Sequence, residues 1–183
     1  MPRHSLLAFG VCFLLPSPVT GQGTGQQPQL PDSVYGFSLT ETSTLPGTAG
    51  IAYRYQNRAK VWADVFVYAV PSDRLGASDS VQLASETEEY VTGLAAGIDR
   101  GRYDAYEVPV NRPVSVDTKA ETPVSGRVVV MVFHRGDQSF VSFMHLFLKG
   151  QSYVKVRLTL PAAEWQDSMA PNFALELAKH LSP

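Results

Sequence analysis

The stretch that decides the fold is residues 126–160, GRVVVMVFHRGDQSFVSFMHLFLKGQSYVKVRLTL. It holds three runs rich in β-branched and aromatic residues, and a glycine followed by one polar residue separates each run from the next. The runs are 127–135, 139–149 and 152–160, and the separating pairs are Gly136-Asp137 and Gly150-Gln151. Connections of this kind are typical of tight hairpin turns. The stretch therefore predicts a three-stranded antiparallel meander.

Two-residue turns also fix which side chains share a face, because residues alternate between faces along a strand. One face is almost wholly apolar and is expected to be buried. It carries Val128, Val130, Val132, His134, Val141, Phe143, His145, Phe147, Val154, Val156, Leu158 and Leu160. The opposite face is also rich in large apolar residues, whereas a sheet with one solvated face shows cleaner polar alternation. We therefore expect cover on both sides of the sheet, at least in part.

The second face combines apolar side chains with a basic rim, which makes it the candidate binding surface. Its candidate residues are Phe140, Met144, Leu146, Tyr153, Lys155 and Arg157. Contiguous apolar patches often mark interaction sites, and a two-fold contact through such a patch would bury it symmetrically in a homodimer. If the protein's own helices cover these side chains, the predicted surface is lost.

Further strands are expected before the meander. Large residues alternate with smaller or polar ones over 51–56, and a second apolar run spans 61–70, so a hairpin around Asn57 is predicted. Residues 34–39 are expected to add an edge strand, which gives an α+β fold with an antiparallel β-sheet of about six strands and helices packed on it. Asp64 is expected to face water from an edge strand, because a buried carboxylate needs partners.

Two segments carry helical signals. Ser85-Glu86-Thr87-Glu88 has the pattern of a capping box and predicts a helix that begins there, with its glutamates favoured by the helix dipole. The alternative is a carboxylate cluster for metal binding or acid-base chemistry. The predicted buried stripe of this helix is Tyr90, Val91, Leu94, Ala95 and Ile98. It is followed by Asp99-Arg100-Gly101-Arg102, which is interpreted as a solvated turn rather than an anion-binding loop.

The C-terminal region carries an apolar stripe at helical spacing that Pro171 interrupts. The stripe consists of Trp165, Met169, Phe173, Leu177 and Leu181. Because proline is tolerated only in the first turn of a helix, the sequence predicts a short helix over 162–167. Ser168 is then expected to cap a second helix that carries Pro171 in its first turn.

The N-terminal region has the features of a signal peptide. The apolar run over 6–15 is well short of the ~20 residues that a membrane span needs, and prolines follow it. We expect residues 1–21 to be removed, 22–31 to form a flexible leader, and 32–183 to form a single α+β domain that is periplasmic or extracellular. The sole cysteine, Cys12, would leave with the signal peptide; lipidation is the alternative, although its preceding residues make a poor lipobox.

Composition excludes several classes of function. The chain has 183 residues, is 44% hydrophobic and 17% charged, and has a formal net charge of -2, so it is neither a disordered chain nor a basic nucleic-acid binder. No transmembrane span is expected in the mature chain. After removal of the signal peptide no cysteine remains for thiol catalysis or a zinc-thiolate site.

The search for catalytic chemistry is largely negative. The sequence has no nucleophile elbow, zinc-protease motif, phosphate loop or dinucleotide fingerprint. His134 and His145 share a face, but the register separates them by about 20 Å, too far to bind one metal ion. We interpret His145 as a core residue, His134 as a strand-end residue and His180 as a cation near a helix C-terminus. No cofactor or metal site is predicted.

The order of elements resembles that of the PsbP-like superfamily, which includes bacterial DcrB-type exported proteins. The resemblance rests on the early hairpin, the helix, the meander and the terminal helix after Tyr153-Val154-Lys155-Val156-Arg157-Leu158-Thr159-Leu160-Pro161. It implies an α/β/α sandwich and a noncatalytic accessory or binding module, with no catalytic residues to transfer. We therefore expect an exported module that recognises a protein, an envelope component or an apolar ligand. The alternative is an exported hydrolase with an unrecognised Ser/His/Asp site.

Overall fold

The computed structural model describes residues 29–47, 49–117, 123–165 and 169–181. Within them, eight strands form one antiparallel sheet, and two α-helices pack on it. The strands are β1 (Ser33–Val34), β2 (Phe37–Thr44), β3 (Ile51–Asn57), β4 (Trp62–Ala69), β5 (Ala105–Val116), β6 (Val124–Arg135), β7 (Gln138–Lys149) and β8 (Ser152–Pro161). The helices are α1 (Asp79–Asp99) and α2 (Met169–Lys179), and short 3-10 turns span Ser72–Arg74 and Ala162–Glu164. The predicted signal peptide, with Cys12, lies outside the described residues.

The predicted meander is confirmed together with its register. The sheet order is β1-β2-β3-β4-β8-β7-β6-β5, so the three strands of the meander, β6, β7 and β8, are neighbours. His145 of β7 lies opposite Val128 of β6 and Val156 of β8. Gly136 and Gly150 begin the two turns with φ of 54° and 56°, a backbone conformation that glycine adopts at no steric cost.

The α+β class and the antiparallel sheet are confirmed, but the expected count of about six strands was too low. Residues 34–39 belong to two strands, β1 and β2, with a tight turn between them. The other strand missing from the prediction is β5, an edge strand that contains Pro109 and Pro113. Proline cannot donate to a ladder and weakens a strand signal, although edge strands tolerate it. β4 was expected at an edge and instead lies between β3 and β8.

The predicted start of α1 was wrong by seven residues, because the N-cap is Ser78 and not Ser85. The helix begins at Asp79 after Ser78, so Ser85 and Glu88 lie in its second and third turns and form no capping box at its start. The buried side consists of Gln82, Leu83, Glu86, Thr87, Leu94 and Gly97. Ile98, expected in the buried stripe, is 39% exposed. Beyond the helix, the Gly101 N–H donates to Ile98 O at 2.8 Å, and the mostly exposed turn fits its interpretation as solvated.

The two helices pack on opposite faces of the sheet. α2 lies on the face that carries Val156 and Phe147, named here the α2 face, where Phe173, Leu177 and Leu181 are fully buried in one apolar cluster. Pro171 falls in the first turn of α2, as predicted, while Ser168 lies outside the described residues. α1 lies on the face that carries Met144 and Lys155, named the α1 face.

The folded domain includes the last residues of the expected leader. Leu30 is buried in the cluster beneath α2, and the Tyr55 hydroxyl donates to Pro31 O at 2.8 Å. Residues 22–28 of that leader lie outside the described part of the chain. Neither described helix combines the length and the hydropathy that crossing a membrane demands.

Candidate functional site

The six predicted binding residues do not form an open apolar surface. Met144 is fully buried in a cluster with Leu94 of α1. Leu146 and Tyr153 are also fully buried, in a cluster with Leu83 of the same helix. α1 therefore covers the apolar centre of the predicted patch, which is the condition under which that surface is lost.

The remaining apolar member, Phe140, is half-buried near the start of β7, where it lies opposite Phe133 and Pro161. With the patch covered, the expectation of homodimerisation through it loses its physical basis. The two basic members, Lys155 and Arg157, belong to two separate charged groups that sequence reasoning did not foresee.

Lys155 lies in a buried network centred on Glu86. The Glu86 carboxylate accepts hydrogen bonds from the Tyr68 hydroxyl at 2.5 Å, from Lys155 Nζ at 3.0 Å and from Arg74 Nη1 at 3.2 Å. The Lys155 ammonium also lies 5.0 Å from the ring centroids of both Tyr68 and Tyr90. Burial, reinforced by Glu86, raises the pKa of Tyr68 well above its ordinary value. Because the charges are mutually paired and enclosed, we interpret this network as structural rather than ligand-binding.

Arg157 belongs to a row of alternating charges that crosses four strands, named here the charge ladder: Glu41, Arg54, Asp64 and Arg157. The strand register places each member opposite the next. Arg54 Nε donates to Asp64 Oδ1 at 2.8 Å, while Arg157 Nη2 lies 3.6 Å from Asp64 Oδ2. Asp64 therefore has two cationic partners, and its expected position on a water-facing edge strand was wrong.

The outer end of the charge ladder is open to solvent, because α1 lies mainly over β5, β6 and β7. Glu41 and Arg54 have side chains that are 59% and 43% exposed, and their charged atoms are 3.6 Å apart. Trp62 is 47% exposed, and the Arg54 guanidinium lies 5.6 Å from its ring centroid. A pocket of about 140 Å³ is lined by Glu41 and Arg54, with Ser43 and Phe66 also in its wall. We name the exposed group Glu41, Arg54 and Trp62 the Trp62 surface.

The three histidines that the structure describes, His134, His145 and His180, do not form a catalytic arrangement. His145 is 4% exposed, and burial, with a smaller effect of Arg112, lowers its pKa to about 4. His134 Nδ1 lies 3.0 Å from Ser139 Oγ, and His180 is exposed. Among the described residues, no carboxylate is hydrogen-bonded to any of the three, so the third member of a Ser/His/Asp site is missing there. The described chain also has no group of three metal-ligating side chains.

The fold places the protein in the class of α+β domains, with a helix on each face of one antiparallel sheet. No protein-family model and no curated protein matches the chain. One similar solved structure is a Pseudomonas aeruginosa protein of unknown function, with 10% sequence identity and a TM-score of 0.34. That match covers 74% of this chain and 76% of the other. A likeness this distant carries no conclusion about function.

Proposed function

We propose that the protein is an exported, noncatalytic module, built as an α/β/α sandwich, that binds another protein through the Trp62 surface. The signal-peptide pattern over residues 1–21 and the resemblance to PsbP-like proteins support export and a binding role. The single observation that carries the proposal is Trp62, 47% exposed with a guanidinium beside its ring. The hydrolase alternative has no comparable observation in its favour.

The residue types support a protein partner. Tryptophan and arginine are enriched at interface positions that carry much of the binding energy. The exposed Arg54–Glu41 pair at 3.6 Å is weak, since ion pairs in water contribute little. A carboxylate of the partner can therefore replace Glu41 at low cost, while an apolar side chain of the partner covers the Trp62 ring. We accordingly assign the partner as a protein segment with a carboxylate next to an apolar residue.

The experiment begins with a photo-crosslinking amino acid at Gln56, the cross-strand neighbour of Trp62, in the full chain expressed in its native host. A crosslinked protein from the exported fraction is identified by mass spectrometry and purified, and its affinity for the wild-type chain is measured. We expect Trp62→Ala to weaken binding by about tenfold or more. Val81→Ala is the matched control, because Val81 is 53% exposed on α1 away from this surface.

Three outcomes would overturn the proposal. The first is equal affinity of wild type and Trp62→Ala for the purified partner. The second is crosslinking only between two copies of this chain, which would make the surface a self-association site. The third is recovery of the chain only inside the cell with residues 1–21 retained, which would remove the exported role.

A further inference from the structure

A second surface lies at the end of the sheet where the β1–β2 and β3–β4 turns meet α2. It is an open depression of about 860 Å³, named here the Tyr35 depression. Its lining residues are Ser33, Tyr35, Gly36, Phe37, Ser38, Thr40, Gln56, Asn57, Arg58, Ala59 and Met169. Most of these side chains carry a hydroxyl or an amide, and neither Trp62 nor Glu86 is among them.

Tyr35 has an unusual backbone for its residue type. It forms the tight turn between β1 and β2 with Gly36, and both residues have positive φ, 47° and 76°. Turns of this type favour Asn, Asp and Gly, because a bulky side chain with positive φ is strained. Strain of this kind is kept only where the surroundings hold it, and it concentrates at functional sites.

The strain at Tyr35 does not serve the core, because the side chain is 48% exposed. Its hydroxyl accepts a hydrogen bond from Asn172 Nδ2 of α2 at 2.8 Å, which fixes the ring at the rim of the depression. Asn57 Nδ2 lies 3.7 Å from Met169 Sδ and ties the second turn to the same helix. The structure thus holds an aromatic ring, carried by a strained backbone, at the rim of a polar depression.

The charge of the depression is positive. Arg58 lines it, Lys60 lies two residues further along the same turn, and both are exposed. Within the described parts of the chain, neither cation is paired with a carboxylate, and no Asp or Glu lines the depression. The turn is also rigid, since the Asn57 side chain accepts a hydrogen bond from the Val61 N–H at 2.9 Å.

We propose that the Tyr35 depression binds an acidic saccharide, a sugar that carries a carboxylate or a phosphate. The C–H face of a sugar ring packs on an aromatic ring, and its hydroxyls exchange hydrogen bonds with the hydroxyl and amide side chains of Ser38, Thr40 and Gln56. The guanidinium of Arg58 pairs with the acidic group, for which its planar array of donors is suited. Gln56 lies next to Trp62 and also lines the depression, so the two sites adjoin. The saccharide proposal rests on Tyr35 and Arg58, which lie outside the Trp62 surface, and does not depend on the proposed protein partner.

The test titrates the full chain with trigalacturonic acid, glucose 6-phosphate, maltotriose and inorganic phosphate, followed by calorimetry and amide chemical shifts. At least one of the two acidic sugars is expected to bind about tenfold or more tightly than both neutral maltotriose and inorganic phosphate. The two acidic probes distinguish a carboxylate from a phosphate as the preferred group. Shifts are expected at residues 33–40 and 56–59. Equal binding of all four probes, or no binding, overturns the proposal.

Two variants separate a binding role from a structural one. Arg58→Gln is expected to lower the affinity for the acidic sugar by about tenfold. Arg100 is an exposed arginine after α1, and Arg100→Gln is expected to leave that affinity unchanged. Tyr35→Asn removes the ring and suits the left-handed backbone, so binding should be lost while the melting temperature stays equal or rises. If Tyr35→Asn still binds the acidic sugar, the proposed role of the ring is overturned. It is also overturned if binding is lost together with a melting temperature below that of the wild type, because the ring would then be structural.

Discussion

The two faces of the sheet bury side chains by different physical means. Beneath α2 the contacts are apolar, with Phe173 between the rings of Phe37 and Tyr55 at centroid distances of 4.8 and 5.5 Å. Beneath the N-terminal half of α1, Glu86 draws Lys155 and Arg74 into the interior. Apolar packing loses stability in proportion to the volume removed, whereas a charged network fails when one partner is lost and the others stay buried.

The largest effect is expected on the α2 face, from Phe173→Ala. Removal of a fully buried ring leaves a cavity and should lower the free energy of unfolding by about 4 kcal/mol. Urea unfolding measures this loss as a lower midpoint with an unchanged slope. Glu176→Ala on the same helix, a 43% exposed side chain, is the control and should change stability by less than about 0.5 kcal/mol. A loss below about 1 kcal/mol for Phe173→Ala would show that α2 does not pack as described.

On the α1 face, Glu86→Ala is expected to cost about 3 kcal/mol, because it leaves the 12% exposed Lys155 side chain without a carboxylate and removes one of the two carboxylates that pair with Arg74. Glu89→Ala is the matched control: Glu89 also binds Arg74, but it is 67% exposed, so its loss should cost about 0.5 kcal/mol or less. Lys155→Met should be less costly in the Glu86→Ala background than in the wild type. Independent, additive costs in that double-mutant cycle would refute the network.

The residues of the α2 face were predicted from the sequence more accurately than those of the α1 face. The turn glycines Gly136 and Gly150 set the register, so the residues of β6, β7 and β8 that were assigned to a face lie on the expected face. Periodicity likewise predicted Phe173 and Leu177 as buried. Local signals sufficed here because consecutive strands pair through tight turns.

The charged groups depend on pairing between segments that are far apart in the chain, which periodicity does not report. β4 pairs with β8, and this pairing alone places Asp64 opposite Arg157 and Phe66 opposite Lys155. The early start of α1 then brings Glu86 over Lys155. A capping-box pattern at Ser85 pointed to the wrong turn of the helix. The sequence did contain a signal for buried charge. Glu86 lies at a core-facing helical position, and Lys155 and Arg157 lie on an otherwise apolar strand.

Acid pH is expected to weaken the α2 face through His145. The pKa of His145 is about 4 in the folded protein, where the ring is buried, and 6.5 in the unfolded chain, where it is solvated. Between these two pH values the unfolded chain therefore binds more protons than the folded protein. Stability is therefore retained above pH 6.5 and lost as the pH falls towards 4, by about 2 kcal/mol between pH 7 and pH 5. Urea unfolding at the two pH values tests this for wild type and His145→Gln. An identical pH dependence in both proteins would remove His145 as the cause.

The smallest effect is expected at the charge ladder, where the α1 face opens to water. Asp64→Asn keeps an oxygen that can accept from Arg54 Nε but removes the charge that both Arg54 and Arg157 face. Because Arg54 is 43% exposed, solvent screens the interaction, and we expect a loss of about 1 kcal/mol that shrinks in 1 M NaCl. Glu41→Gln, at the more exposed end, should cost less still. A loss of stability that is independent of salt and as large as that of Glu86→Ala would mean that the charge ladder is as enclosed as the Glu86 network. The two charged groups of the α1 face would then not differ in their exposure to solvent.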